Sequence, residues 1–244
     1  MAQGEEMAGM IQLEVVDDPR LLEAIHATIL TPVFRPAELL PAAQLRQAVA
    51  AGACEVLVVP GVDGPQAVAV GEFADGVVLL VYLAVAPGVR SRGTGGKLLD
   101  AAVARWRACP GVKLVVAEVD RPDFHTADAV QGDPSRRLEF YARHGGLAFD
   151  LPYFQPSVGP GQPPVHGMLL IALAADRAVL SADGGRLVRV GRLRDLLAAG
   201  LDQAGEADEA GRRLLASLDD PDGVQLLPLS GYAGIEPSAP RPTA

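Results

Sequence analysis

Cysteine is scarce in this chain: 244 residues contain two, Cys54 and Cys109, and they show neither metal-binding nor redox spacing. Cys54 opens an apolar run and Cys109 closes a helical one, so both are expected as core or near-core thiols. Also lacking is any apolar run approaching the roughly eighteen residues of a membrane span, and no signal-peptide pattern opens the sequence. Basic residues fall short of acidic ones, 21 against 30, for a formal charge of −9. That balance argues against nucleic acid or an anionic membrane as the main partner and is compatible with cationic substrates. No internal repeat is visible. A reduced cytoplasmic protein is the expectation. Hydrophobic residues make up 49%, ample for a buried core, and the length suits one domain with an extension.

The organising stretch is Val77 to Trp106, VVLLVYLAVAPGVRSRGTGGKLLDAAVARW. It predicts an apolar strand, a loop carrying Arg90, Ser91 and Arg92, glycines at 93, 95 and 96, and a long helix. Leu98, Leu99, Ala102, Val103 and Trp106 fall on one face of that helix. Unpaired N–H groups at a helix N-terminus favour an anion, as does the helix dipole. The first turn has Lys97 and no acidic residue, so the anion is expected to come from outside. A Walker loop fails, because Thr94 stands where lysine is required. The dinucleotide fingerprint fails at Leu98, where a third glycine is needed. An antiparallel hairpin ahead of the loop also argues against dinucleotide binding with Asp120 on a ribose.

What fits is Arg90-x-x-Gly93-x-Gly95 after a strand ending Leu83-Ala84-Val85-x-Pro87. This resembles the acyl-CoA-binding motif of the GNAT superfamily of N-acetyltransferases. A second run, Phe140-Tyr141-Ala142-Arg143-His144-Gly145, resembles that family's helix-tyrosine signature.

The remaining pattern predicts a loose tail over 1–9 and a strand over Ile11 to Val16. A helix capped by Asp17 or Asp18 follows, running from Pro19 to about Leu30, and another spans Ala42 to Ala50. Strands are expected at Glu55 to Pro60, Gln66 to Phe73, Val77 to Val85, Lys113 to Val119, Leu147 to Phe154 and His166 to Leu173. Ala74-Asp75-Gly76 is a hairpin signal, and Asp133-Pro134 caps a helix from Ser135 to His144. The expected fold is α/β (α+β): a mixed, mostly antiparallel sheet of about seven strands flanked by helices, with the GNAT-like domain at 10–175. From 176 to 235 the stripes Leu193, Leu196, Leu197, Leu201 and Ala207, Ala210, Leu214, Leu215, Leu218 predict a two-helix extension. A disordered tail is expected over 236–244. The cluster Arg186, Arg189, Arg192 and Arg194 is either a solvated face or an anion site.

The resemblance implies acetyl-CoA as cosubstrate, held by Leu83, Ala84 and Val85 through the strand edge and by Arg90, Ser91, Arg92, Gly93, Thr94, Gly95 and Gly96 at the phosphates. It implies transfer of acetyl to a primary amine by direct attack, with the Val85 N–H at the oxyanion and Tyr141 as general acid. The general base is not marked: Glu72 and Glu118 are the strand carboxylates, and a water chain to bulk is a third choice. The asparagine that many members carry after the fifth strand is missing. The loop Asp120 to Asp133 stands in its place, and Pro32 to Arg35 either lines the acceptor cleft or packs Val33 and Phe34 under a loop. Asp120, Asp123, Asp128 and Asp133, offset by Arg121, predict either an acidic rim drawing a small cationic amine or a peptide amine, or a solvated loop whose aspartates keep it soluble. His125 with Asp123 and Asp128 matches no known metal spacing; no metal, nucleic acid or membrane is expected, and a homodimer is left open. A module on the same fold that binds acyl-CoA without transfer is the alternative.

Overall fold

The computed structural model describes residues 11–36, 38–89, 93–128, 132–157, 163–205 and 208–240. Arg90, Ser91, Arg92, the 1–9 tail, Ala207 and positions 241–244 lie outside the described residues.

The chain opens with β1 (Glu14–Val15), shorter than the Ile11 to Val16 run. Asp18 accepts from the N–H groups of Arg20 and Leu21 and caps α1 (Pro19–Ile25), with proline in the first turn. A π-helical turn, His26–Leu30, completes the expected helix, and α2 spans Ala42–Ala50. Three strands follow: β2 (Cys54–Val59), β3 (Ala67–Ala74) and β4 (Val77–Val85). Asp75 and Gly76 join the last two with positive φ at both, 40° and 82°, as a mirror-type hairpin turn requires. Next come α3 (Thr94–Arg107), β5 (Leu114–Asp120) and α4 (Pro134–Arg143), the last capped by Asp133 on the Ser135 N–H. β6 (Leu147–Phe149) is three residues long; the chain leaves the sheet at Asp150, before the expected end at Phe154. β7 (Met168–Ala175), β8 (Arg186–Leu187), α5 (Gly191–Ala204), α6 (Glu209–Ser217) and β9 (Val224–Pro228) complete the elements that build the site.

Among the described residues the sheet has nine strands, in the order β1-β2-β3-β4-β5-β7-β6-β9-β8. Only β4 and β5 pair in parallel; every other pairing is antiparallel. The count exceeds the expected seven because the C-terminal segment contributes β8 and β9 as well as its two helices. β9 pairs with β6 over Leu147–Pro228 to Phe149–Leu226. Short strands on either side of the leucine stripes carry too little alternation to be seen in sequence.

Three apolar layers result. On one face, Leu98, Leu99, Ala102 and Trp106 of α3 and Leu138 and Tyr141 of α4 cover Val78, Leu80, Val115 and Ala117. The other face is shared. Leu22, Ile25, Ile29 and Leu45 cover the β1–β4 half, and Leu193, Leu197, Leu201, Leu214 and Leu218 cover the half around Val116, Met168, Leu170 and Leu226. The α3 layer depends on Gly71 of β3, where a Cβ would lie 2.6 Å from the Trp106 ring. The indole N–H donates to Glu55 at 2.9 Å, and Arg105 grips the same carboxylate, so the ring has no room to retreat. Gly71→Ala should therefore cost about 1–3 kcal/mol by overpacking, read as a lower denaturation midpoint at unchanged slope. An unchanged midpoint would show that Trp106 can shift.

Candidate active site

β4 and β5 pair from Val77–Leu114 to Leu80–Ala117 and no further. β4 runs on to Val85 and β5 to Asp120 without a rung between them, and the end of β5 stays with β7. The cause is local. Pairing on the β3 side jumps from Gly71–Leu80 to Val70–Tyr82, leaving Val81 as an extra residue. Such a bulge bends and twists its strand, and here it turns β4 away where the parallel pairing stops. The Ala86 N–H donates to the Gln66 carbonyl at 2.8 Å, which sets the phase of the antiparallel ladder. Ala84 therefore directs its N–H and C=O to β3, while Leu83 and Val85 direct theirs into the opening. An open strand edge of this kind can bond the amides of an extended ligand.

The N-terminus of α3 stands beside that edge. Gly93, its N-cap, has φ 72°, and no side chain among the described residues caps the helix. Its first N–H groups are thus left without a side-chain acceptor. A Cβ at Gly95 would lie 3.3 Å from the Val85 side chain, so the first turn rests on the end of β4. Gly96 has a packing reason for its identity: a Cβ there would meet the His144 ring at 2.7 Å. That ring is held by Asp100 at 2.7 Å, so α3 and the end of α4 lock together. Arg90, Ser91 and Arg92, expected at the phosphates, lie outside the described residues.

Tyr141 comes from α4 on the α3 side of the sheet, 8% exposed and edge-on to Phe140 at 5.1 Å. Burial pushes its phenol up to about 12, against a smaller opposing pull from Arg137 one turn earlier. Its hydroxyl has no hydrogen-bond partner among the described residues. Arg137 itself donates to Asp120 at 2.9 Å, tying α4 to the end of β5.

The two strand carboxylates lie on the opposite face, between the α1–α2 layer and the α5–α6 layer. Glu118 follows Ala117, the last residue of β5 to pair with β4, and so stands at the mouth of the opening. The Tyr153 hydroxyl donates to one of its oxygens in a short contact, and Gln155 Nε2 donates to the other at 3.0 Å. Burial raises its pKa; the two hydrogen bonds pull it down and the charge of Glu72 adds to the rise, leaving it above the usual carboxylate range. Glu72, on β3 opposite Leu79 and Cys54, is also raised by burial, but β4 separates it from the opening. Tyr153 and Gln155 were not expected at the site. Their one sequence signal is a tyrosine inside an apolar run, whose hydroxyl needs a partner once buried.

The acidic rim does not survive folding. Asp120 is paired with Arg137 at 2.9 Å, Asp123 with Arg121 at 3.0 Å, Asp133 with Arg136 at 3.9 Å, and Asp128 with Arg35 from the α1–α2 loop. Each of the four aspartates thus has an arginine beside it, which offsets the charge of the rim. A cavity of about 280 Å³ lies here, lined by Arg35, Asp120, Phe124, His125, Thr126 and Asp128 among others. Of the Pro32 to Arg35 run, Arg35 lines this cavity. Phe34 instead packs on Tyr82 at 4.9 Å. The Tyr82 hydroxyl accepts from the Leu40 N–H at 2.8 Å and donates to the Glu38 carbonyl at 3.1 Å, pinning the loop to β4. His125 is engaged by the His166 carbonyl at 3.0 Å, so the trio with Asp123 and Asp128 is dispersed among other partners.

Arg121 is the most deeply buried charge of the region, 1% exposed. It grips Asp123, donates to the Ile235 carbonyl at 2.9 Å, and lies over the Phe124 and Tyr232 rings. The C-terminal segment is thereby fastened to the loop after β5. The arginine cluster at the start of α5 and just before it is largely consumed in the same way. Arg186 donates to the Gly223 carbonyl, Arg192 holds Asp75 of the β3–β4 turn, and Arg194 holds Asp219, each at 2.8 Å.

No protein-family model matches the chain, and no curated protein matches it. Solved structures do. A protein assigned to the GNAT family of acetyltransferases from Bacteroides thetaiotaomicron superposes with a TM-score of 0.55 at 22% identity, covering 69% of this chain and 89% of that one. A GNAT-family protein from Desulfovibrio desulfuricans gives 0.44 at 22% identity, over 67% and 99%. The loading GNATL domain of CurA from Lyngbya majuscula gives 0.47 at 17% identity, over 66% and 96%. The first of these carries the conclusion, which concerns architecture: the chain has the GNAT fold.

Proposed function

We propose that this protein moves an acyl group, acetyl in the simplest case, from acyl-CoA to an amine. The observation that carries the reading is the opening between β4 and β5, with the edge groups of Leu83 and Val85 turned into it beside the uncapped N-terminus of α3. The pantetheine arm lies along that edge and the pyrophosphate at the first turn of α3. The amine nitrogen attacks the thioester carbonyl, whose oxygen gathers charge and is met by the Val85 N–H. The C–S bond then breaks. Tyr141, on the α3 side, gives its proton to the departing thiolate, and burial keeps its phenol protonated at neutral pH. Glu118, on the other face, takes the proton of the ammonium directly or through a water; its raised pKa suits a base that works near neutrality. Glu72, one strand away, is the reserve candidate. With the loop aspartates neutralised, recognition of the amine, whether a small molecule or a peptide amine, falls to short-range contacts in the cavity beside Arg35.

The second reading is an acyl-CoA-binding module without transfer. Its support is that both oxygens of Glu118 are already engaged by Tyr153 and Gln155. One experiment separates the two: calorimetric titration with acetyl-CoA, followed by thiol release across a panel of amines. Binding with release supports the enzyme, and binding without release supports the module. Gly95→Glu puts a carboxylate at the first turn of α3 and should weaken acetyl-CoA binding at least about tenfold, the order expected of one misplaced charge. Equal affinity in that variant would refute the placement of the pyrophosphate.

A further inference from the structure

A second cavity, about 400 Å³, lies at the far end of β5 from the opening. It is framed by the end of α3, the start of β5 and the end of β7. Arg107, Lys113 and Arg177 line it, over an apolar floor that includes Val112, Leu114 and Leu180. The one acidic lining residue, Asp176, is committed twice. One oxygen sits 2.6 Å from Lys113 Nζ, and the other accepts the Ala178 N–H at 2.8 Å. Lys113 and Arg107 both hold its carboxyl below the usual range, together with that N–H, so it stays an anion there at neutral pH. Arg107 and Arg177 have no ion-pair partner among the described residues. The lining therefore carries three cations and one anion, in a protein of formal charge −9. The C-terminal dipole of α3 accounts for Arg107. It does not account for Arg177, which stands on a separate 3-10 turn after β7.

We propose that this cavity binds a small organic dianion, a phosphate monoester or a dicarboxylate with a compact apolar body. Two guanidinium groups offer forked donors to the charged groups, and the floor of Leu114, Val112 and Leu180 receives the hydrocarbon part. The excess of two positive charges matches a dianion. The proposal is independent of acyl transfer, because no lining residue belongs to the opening between β4 and β5.

The test is calorimetric titration of the full chain with phenyl phosphate and with glutarate, against acetate at matched ionic strength. Saturable binding of at least one dianion and none of acetate is expected. The arm that binds tells phosphate from dicarboxylate chemistry. The double variant Arg107→Ser, Arg177→Ser should lose at least tenfold in affinity. Both side chains are exposed and form no ion pair among the described residues, so its melting temperature should stay near that of the parent. Gly95→Glu, which alters the other anion-favouring place in the fold, should bind the dianion as the parent does. Absence of saturable binding by both dianions would overturn the proposal. So would undiminished affinity in the double variant, or loss of binding in Gly95→Glu, which would put the anion at the N-terminus of α3.

Discussion

A chain ended after Asp176 should fail to form the sheet rather than release an intact GNAT-fold domain. The lost segment contributes β9, which pairs with all of β6, and the leucines of α5 and α6. Without them Val116, Phe149, Leu151, Met168 and Leu170, all buried now, face water. Each large apolar side chain returned to water costs about 1.5–3 kcal/mol, so four or five consume the roughly 5–15 kcal/mol by which a domain is stable. The other face suffers too, since Leu229 and Ile235 belong to the α3 layer. Arg121 would keep Asp123 but lose the Ile235 carbonyl and the Tyr232 ring, leaving a buried guanidinium partly unsatisfied. The expected result is aggregated protein, or soluble protein without a cooperative unfolding transition. A truncated protein that melts cooperatively and still binds CoA would show that the segment is a separable extension after all.

Substituting the two proposed proton-transfer residues should reduce turnover strongly and in distinguishable ways. Tyr141→Phe keeps the ring against Phe140 and removes the proton donor, so kcat should drop on the order of 10²-fold with CoA affinity unchanged. Glu118→Gln should lower kcat on the order of 10²- to 10³-fold and should also change the pH profile. In the parent, activity should rise with pH as Glu118 ionises, at a value above the ordinary carboxyl range because burial raises it. The variant should lose that acid limb. Stability carries the opposite sign. A carboxyl whose pKa is higher folded than unfolded favours the fold at low pH, and this contribution fades as pH rises from the ordinary value through the raised one. Glu118→Gln should flatten that part of the stability curve. Wild-type turnover with an unchanged acid limb would move the base to Glu72 or to water.

The sequence by itself determined what depends on near neighbours. Asp75-Gly76 specifies its hairpin because the turn needs two positive φ values. Asp133 marks a helix start because the cap bonds an N–H two residues on, whereas the choice of Asp18 over Asp17 came with the structure. Helices α3 and α4 are legible because a start signal, glycine for one and Asp-Pro for the other, and an apolar stripe lie within one short stretch. Tertiary structure decided what depends on distant partners. Asp128 meets Arg35 across 93 positions, and no local pattern announces that an acidic loop will be neutralised. Val81 becomes a bulge only against the register of β3, and that bulge opens β4 from β5. Glu72 and Glu118 are alike as strand carboxylates; only the end of the β4–β5 pairing puts Glu118 at the opening. The leucine stripes after Asp176 required a covering surface without naming one. Periodicity reports that a face must be buried, whereas the identity of what buries it is a property of the whole chain.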